Sequence, residues 1–148
     1  MLYLLLGACV TTPTEPPEST AAVASSVAIP VAPWRVVVAD GSNNVTRVES
    51  TGAAVGWVYE PMTPERSSSG VYSGGEPAAG TLDPAATEAL WTAVSQALSD
   101  ASGHAQARAM GTISLSVTID GDTQAVVLTP AAGAELLDQC RSAREGRR

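Results

Sequence analysis

The stretch that decides the fold is Thr112-Ile113-Ser114-Leu115-Ser116-Val117-Thr118-Ile119-Asp120-Gly121-Asp122-Thr123-Gln124-Ala125-Val126-Val127-Leu128. Ile113, Leu115, Val117 and Ile119 alternate with Thr112, Ser114, Ser116 and Thr118. Residues two apart share a face of a strand, so this strand has one apolar and one polar face. That is the pattern of an antiparallel sheet with one side in water. Asp120-Gly121 is a favoured two-residue hairpin turn, because glycine takes positive φ without steric penalty. Residues 123–128 then return beside the first strand.

Working outward, a helix lies upstream of this hairpin. Asp83 is its N-cap and Pro84 its first residue, where a missing N–H costs nothing. Leu90, Trp91, Val94, Ala97, Leu98 and Ala101 recur at helical spacing, while Glu88, Thr92, Ser95, Gln96 and Ser99 cover the opposite face. Gly103 ends the helix and an exposed connection runs to Gly111. Downstream, Thr129-Pro130 caps a second helix with Gly133, Leu136, Leu137 and Cys140 on its apolar stripe. Further upstream, a β-branched strand over 35–39 ends at the turn formers Asp40-Gly41-Ser42-Asn43-Asn44, and 45–49 is its hairpin partner. A third strand over 54–59 puts Val55, Trp57 and Tyr59 on one face and Gly56 on the other, and Pro61 and Pro64 end it. Residues 67–76 read as a glycine-rich loop with a short strand around Val71-Tyr72. The order implies an α+β domain over 34–143, an antiparallel sheet with two helices packed on one face.

Ahead of this domain stands Met1-Leu2-Tyr3-Leu4-Leu5-Leu6-Gly7-Ala8-Cys9. Its apolar run is far short of the roughly 20 residues that span a bilayer, and it ends in small residues as a signal peptide does. No Lys or Arg precedes it, so the signal peptide expected over residues 1–8 has a truncated basic region. Leu6-Gly7-Ala8-Cys9 resembles the lipobox of bacterial lipoproteins. The resemblance implies cleavage before Cys9, lipidation of its thiol by several acyl chains, and attachment of the protein to the membrane of the cell envelope. Val10 follows the cysteine, where an aspartate would retain some enteric lipoproteins in the inner membrane, so the resemblance points to the outer membrane. Two or more chains are needed for stable anchoring. The alternative is an apolar N-terminus carrying an incidental thiol.

Residues 9–33 follow as the lipidated cysteine and a tether rich in Pro, Thr and Ser, with Glu15 and Glu18 its only charges. Such a segment buries too little to offset its ordering entropy and is expected to be disordered. At roughly 3 Å per residue it would hold the domain up to about 70 Å from the bilayer.

Composition narrows the function. The chain has a net charge of −7, no Lys and no Phe, and an acidic body lacks the basic footprint that nucleic acid requires. Arg144, Arg147 and Arg148, with Arg141 just ahead, give a basic tail over 144–148. Its reading is a solvated tail, or else a contact to anionic lipid. Cys140 lies on a helical stripe and reads as a buried, inert thiol. A Cys9–Cys140 bridge is the alternative if Cys9 is not lipidated.

No catalytic motif is legible. His104 is the only histidine and sits in a small-residue connection, where it reads as solvated. There is no nucleophile elbow, and a Ser-Lys dyad is impossible without lysine. Zinc spacings, calcium loops and phosphate loops are absent as well, and no cofactor or metal is expected. Glu60, Glu65, Glu76, Asp120 and Asp122 are the acids from which a hydrolase would have to be built. The remaining candidate is Ser67-Ser68-Ser69-Gly70-Val71-Tyr72-Ser73-Gly74-Gly75-Glu76-Pro77. Tyr72, Ser73, Gly74 and Gly75 suit a binding loop, because Tyr offers rigid area and Ser and Gly adapt around it; an ordinary long loop has the same composition. In layout, residues 70–140 resemble emfourin-type protease inhibitors, which implies an inhibitor as one reading and carries no inhibitory residue across. The expected function is therefore a non-catalytic, lipid-anchored module that binds an envelope protein or polymer. An envelope hydrolase, or a purely structural assembly subunit, is the rival.

Overall fold

Six strands form one sheet in a computed structural model that describes residues 28–31 and 33–146. They are β1 (Trp34–Ala39), β2 (Val45–Ser50), β3 (Val55–Glu60), β4 (Ala78–Leu82), β5 (Ile113–Ile119) and β6 (Asp122–Leu128). Two helices, α1 (Pro84–Ser99) and α2 (Ala134–Glu145), complete the α+β domain. The spatial order is β4-β3-β2-β1-β5-β6, with every neighbouring pair antiparallel. Strands β1 to β4 are a meander. The chain then crosses through α1 to add β5 against the free side of β1.

Alternation puts one face of this sheet inside. Val36 and Val38 of β1, Val48 of β2, Trp57 of β3 and Ile113, Leu115 and Val117 of β5 are all buried. Leu90, Trp91 and Val94 of α1 and Leu136 and Cys140 of α2 meet them in the same core. Trp34 stacks on Trp91 with ring centroids 5.0 Å apart, joining the first strand to the first helix. The opposite face carries Arg35, Arg47, Glu49 and Ser116 and stays open; Arg35 and Arg47 pair there with Glu49 and Glu60.

The local signals work as their chemistry demands. Asp120 (φ 50°) and Gly121 (φ 91°) both sit at positive φ between β5 and β6, the geometry of a type I′ hairpin turn. Asp83 accepts from Ala86 N at 2.7 Å and Pro84 follows it as the first residue of α1.

Five expectations need correction. No strand forms around Val71-Tyr72; the strand of that region is β4, where Ala78-Ala79-Gly80 carries weak strand propensity. Gly80 lies opposite Trp57, and a Cβ there would sit 2.9 Å from the indole Nε1, so the ring occupies the room a side chain would need. Thr129 caps a turn instead of a helix: Ala132 N and Gly133 N bond to its hydroxyl and carbonyl, and α2 starts at Ala134. Gly133 therefore precedes the helix, pressed against Ile113. The tail expected from residue 144 begins inside α2, where Arg144 lies 4.0 Å over the Tyr59 ring instead of in solvent. At the other end, Ile29, assigned to the tether, is partly buried against the core. His104 is half-buried, with its Nε2 2.9 Å from Ala97 O and its backbone bridged to Leu128.

Leu115 is completely buried. Leu115→Ala is expected to lower the unfolding free energy in urea by about 2–5 kcal/mol, while Ser116→Ala on the open face changes it by less than about 0.5 kcal/mol.

Candidate functional site

At the end of the sheet where β1 turns into β2, the side chain of Asn44 is almost wholly buried, at 6 % exposure. A buried amide must find partners for its donors and its acceptor. Its Nδ2 donates to Asp40 Oδ2 at 2.8 Å and to the Tyr72 hydroxyl at 3.0 Å. Its Oδ1 accepts from Met62 N at 2.9 Å. One side chain thus ties the β1–β2 turn to the exit of β3 and to the long loop before β4. Asp40 prepares it: its Oδ1 accepts from Ser42 N and Asn44 N, at 2.8 and 3.0 Å, which folds the turn around its own carboxylate.

The loop itself is closed by short-range bonds. Ser67 N and Arg66 N bond to Thr63 O, and Gly74 N bonds to Met62 O at 2.8 Å. The Ser69 hydroxyl faces the amides of Val71 and Tyr72, at 3.4 and 3.3 Å. Tyr59 reaches across from β3 and donates its hydroxyl to Gly74 O at 2.8 Å. Gly74 has no room for a Cβ, because Asn44 Oδ1 fills that place. The glycine is therefore a packing requirement of the clamp, and Gly75 supplies a positive φ of 95° beside it. Glu65 in the same loop is held below the usual carboxylate range by its backbone amide and the Thr63 hydroxyl.

Of the four loop residues expected from sequence, Tyr72 and Gly74 meet on Asn44, and Ser73 and Gly75 share one bond at 3.2 Å. Tyr72 is 39 % exposed and Val71 is 80 % exposed, so the clamp holds the phenol by its hydroxyl and leaves an apolar tip in water. Sequence reading found the loop and missed its anchor, because Asn44 reads as one more turn former after Asp40. Cys9 lies outside the described residues. Cys140 is buried, and burial pushes its thiol up to about 12, against the opposing influence of the Arg144 charge and the Thr46 hydroxyl.

The acids proposed for a hydrolase are divided by the register. Val45 pairs with Glu60 and with Ala39 at one end of the sheet, whereas Trp34 pairs with Ile119, next to Asp120, at the other. A strand of this length separates them by roughly 17 Å. Two other carboxylates, Glu88 of α1 and Glu135 of α2, share a groove of about 580 Å³ between the helices, floored by Ala85, Ala89 and Ala93. Among the described residues no three His, Cys, Asp or Glu side chains are grouped to hold a metal ion, and no helix is long and apolar enough to cross a membrane.

The fold and this clamp define a two-layer α+β domain with an ordered, aromatic-tipped loop at one end. Comparison with protein-family models, with curated proteins and with solved structures finds no match for the chain.

Asn44→Ala removes the partner of Tyr72 and leaves Met62 N–H without its acceptor. It is expected to lower stability by about 1–3 kcal/mol, and to open residues 65–75 to limited proteolysis. Tyr72→Phe, which keeps the ring, is expected to lower stability by only about 0.5–1.5 kcal/mol, both read by urea unfolding.

Proposed function

We propose that this protein is a lipid-anchored cell-envelope module that binds another protein or an envelope polymer through the loop over 67–75, without chemistry of its own. The observation that carries the reading is the Asn44 clamp. Holding a glycine- and serine-rich loop in one conformation lowers the entropy lost when it meets a partner, and an aromatic tip offers rigid contact area. A long loop with no such task has no need of a buried amide and three cross-segment bonds. The anchoring half of the proposal rests on Leu6-Gly7-Ala8-Cys9 and its likeness to a lipobox.

Orientation agrees with this role. The described chain joins β1 at Trp34, where Pro33 O accepts from Asp120 N at 3.2 Å. The loop lies at the opposite end of the sheet, beyond Asn44 and Glu60. A body held through Cys9 would therefore carry the tether on one end and the Val71-Tyr72 tip on the other.

A photo-crosslinking residue at position 71 tests both halves in intact cells. The expected result is a discrete adduct in the membrane fraction that is lost with Tyr72→Ala and lost again with Cys9→Ala, whose protein leaves the membrane. Adducts equal to those from a control position on the open face, such as Ser116, would refute the loop. Membrane retention of the Cys9→Ala form would refute the anchor.

A further inference from the structure

Six strands about 4.8 Å apart present a face roughly 24 Å wide, and two helices packed at 8–10 Å cover only about 20 Å of it. The shortfall lies beside α1, on the β6 side. There a groove of about 370 Å³ runs between Val94 and Leu98 of α1 and Val117 and Ile119 of β5, with Gln124 of β6 on its far wall. Gln124 pairs with Val117 and so faces the helix layer, with Val126 next to it on that face partly buried. Trp91 also lines the groove; it is 4 % exposed, and its Nε1 has no hydrogen-bond partner among the described residues.

The described chain starts in this groove. Ala28 and Pro30 line it, and Ile29 between them packs on the core. The residues immediately upstream differ from the rest of the tether. Residues 21–29 carry no charge and no proline and contain Val23, Val27 and Ile29, whereas residues 11–20 hold three prolines and two glutamates. Five residues in extended form reach about 17 Å, enough to run from Ala28 past Asp122, Thr123 and Gln124, the residues of β6 that line the groove.

We propose that Val23-Ala24-Ser25-Ser26-Val27 docks in this groove as an apolar strap continuous with Ala28, covering the part of the sheet that α1 and α2 leave bare. The chain's own segment is the occupant because it begins within one residue of the groove and belongs to the longest uncharged, proline-free stretch of the tether. Docking also shortens the free tether to residues 9–22. At roughly 3 Å per residue the reach from Cys9 falls from about 70 to about 40 Å, and the tether leaves the body beside α1.

The test uses the full chain carrying Cys9→Ala, so that it does not depend on acylation. Nuclear Overhauser contacts are expected between the methyls of Val23 or Val27 and those of Leu98 or the Trp91 ring. In an equal mixture of isotope-labelled and unlabelled protein they should stay within one molecule. Val23→Asp with Val27→Asp should abolish them and shift the Leu98 and Ile119 methyls, with the Leu115 and Val36 signals unmoved. Contacts between labelled and unlabelled copies would overturn the proposal in favour of a second copy in the groove. Absence of both kinds of contact in the parent chain would overturn it outright, whatever the double variant does.

Discussion

The sheet of this protein has one apolar face, and the need to keep water off that face organises the rest of the chain. β5 and β1 set the pattern, since Val36, Val38, Leu115 and Val117 all point inward while Arg35, Val37, Ser114 and Ser116 point outward. Helices α1 and α2 exist to cover those residues, and the Trp34–Trp91 stack fixes where α1 lies across the strands. Burial at about 25 cal/mol per Å² of apolar area is the dominant favourable term for such a domain. With no Phe in the chain, three tryptophans supply the bulk that Val, Leu and Ala cannot.

A second constraint acts at the end of the sheet. Water is excluded around Asn44, so its amide must be satisfied by protein, and the partners it selects come from three separate segments. A loop of serine and glycine would otherwise have high conformational entropy. Here it is held at Met62, Tyr72 and Gly74 and leaves its apolar tip outside. Arg144 extends the same construction: its guanidinium covers Tyr59, whose hydroxyl holds the far side of the loop at Gly74. The last turn of α2 is therefore joined to the candidate surface by two successive contacts.

Much of the fold was legible because its signals are local. The period-two run from Ile113 to Ile119, the Asp120-Gly121 turn and the Asp83-Pro84 helix start each specify their own geometry within a few residues. β4 was not legible, because Ala78-Ala79-Gly80 has little strand propensity and its place depends on Trp57 lying over Gly80, a contact between segments far apart in sequence. The same holds for the site. The composition of residues 67–77 marks a candidate binding loop, but its anchor is an asparagine 28 positions from Tyr72. The placement of Arg144 over Tyr59 was hidden in the same way, since a terminal arginine reads as solvated until its neighbour is known. Helix-surface acids such as Glu88 and Glu135 gave no sign that they would share a groove.

The account depends most on the loop being a built surface instead of a solvated connection. Backbone ¹⁵N relaxation over residues 65–75 measures this directly. Order parameters near about 0.85, equal to those of the flanking strands β3 and β4, are the predicted result. Values below about 0.6 across Ser69, Val71 and Tyr72 would contradict it, because a loop that samples many conformations has no Asn44 clamp and presents no fixed tip to a partner.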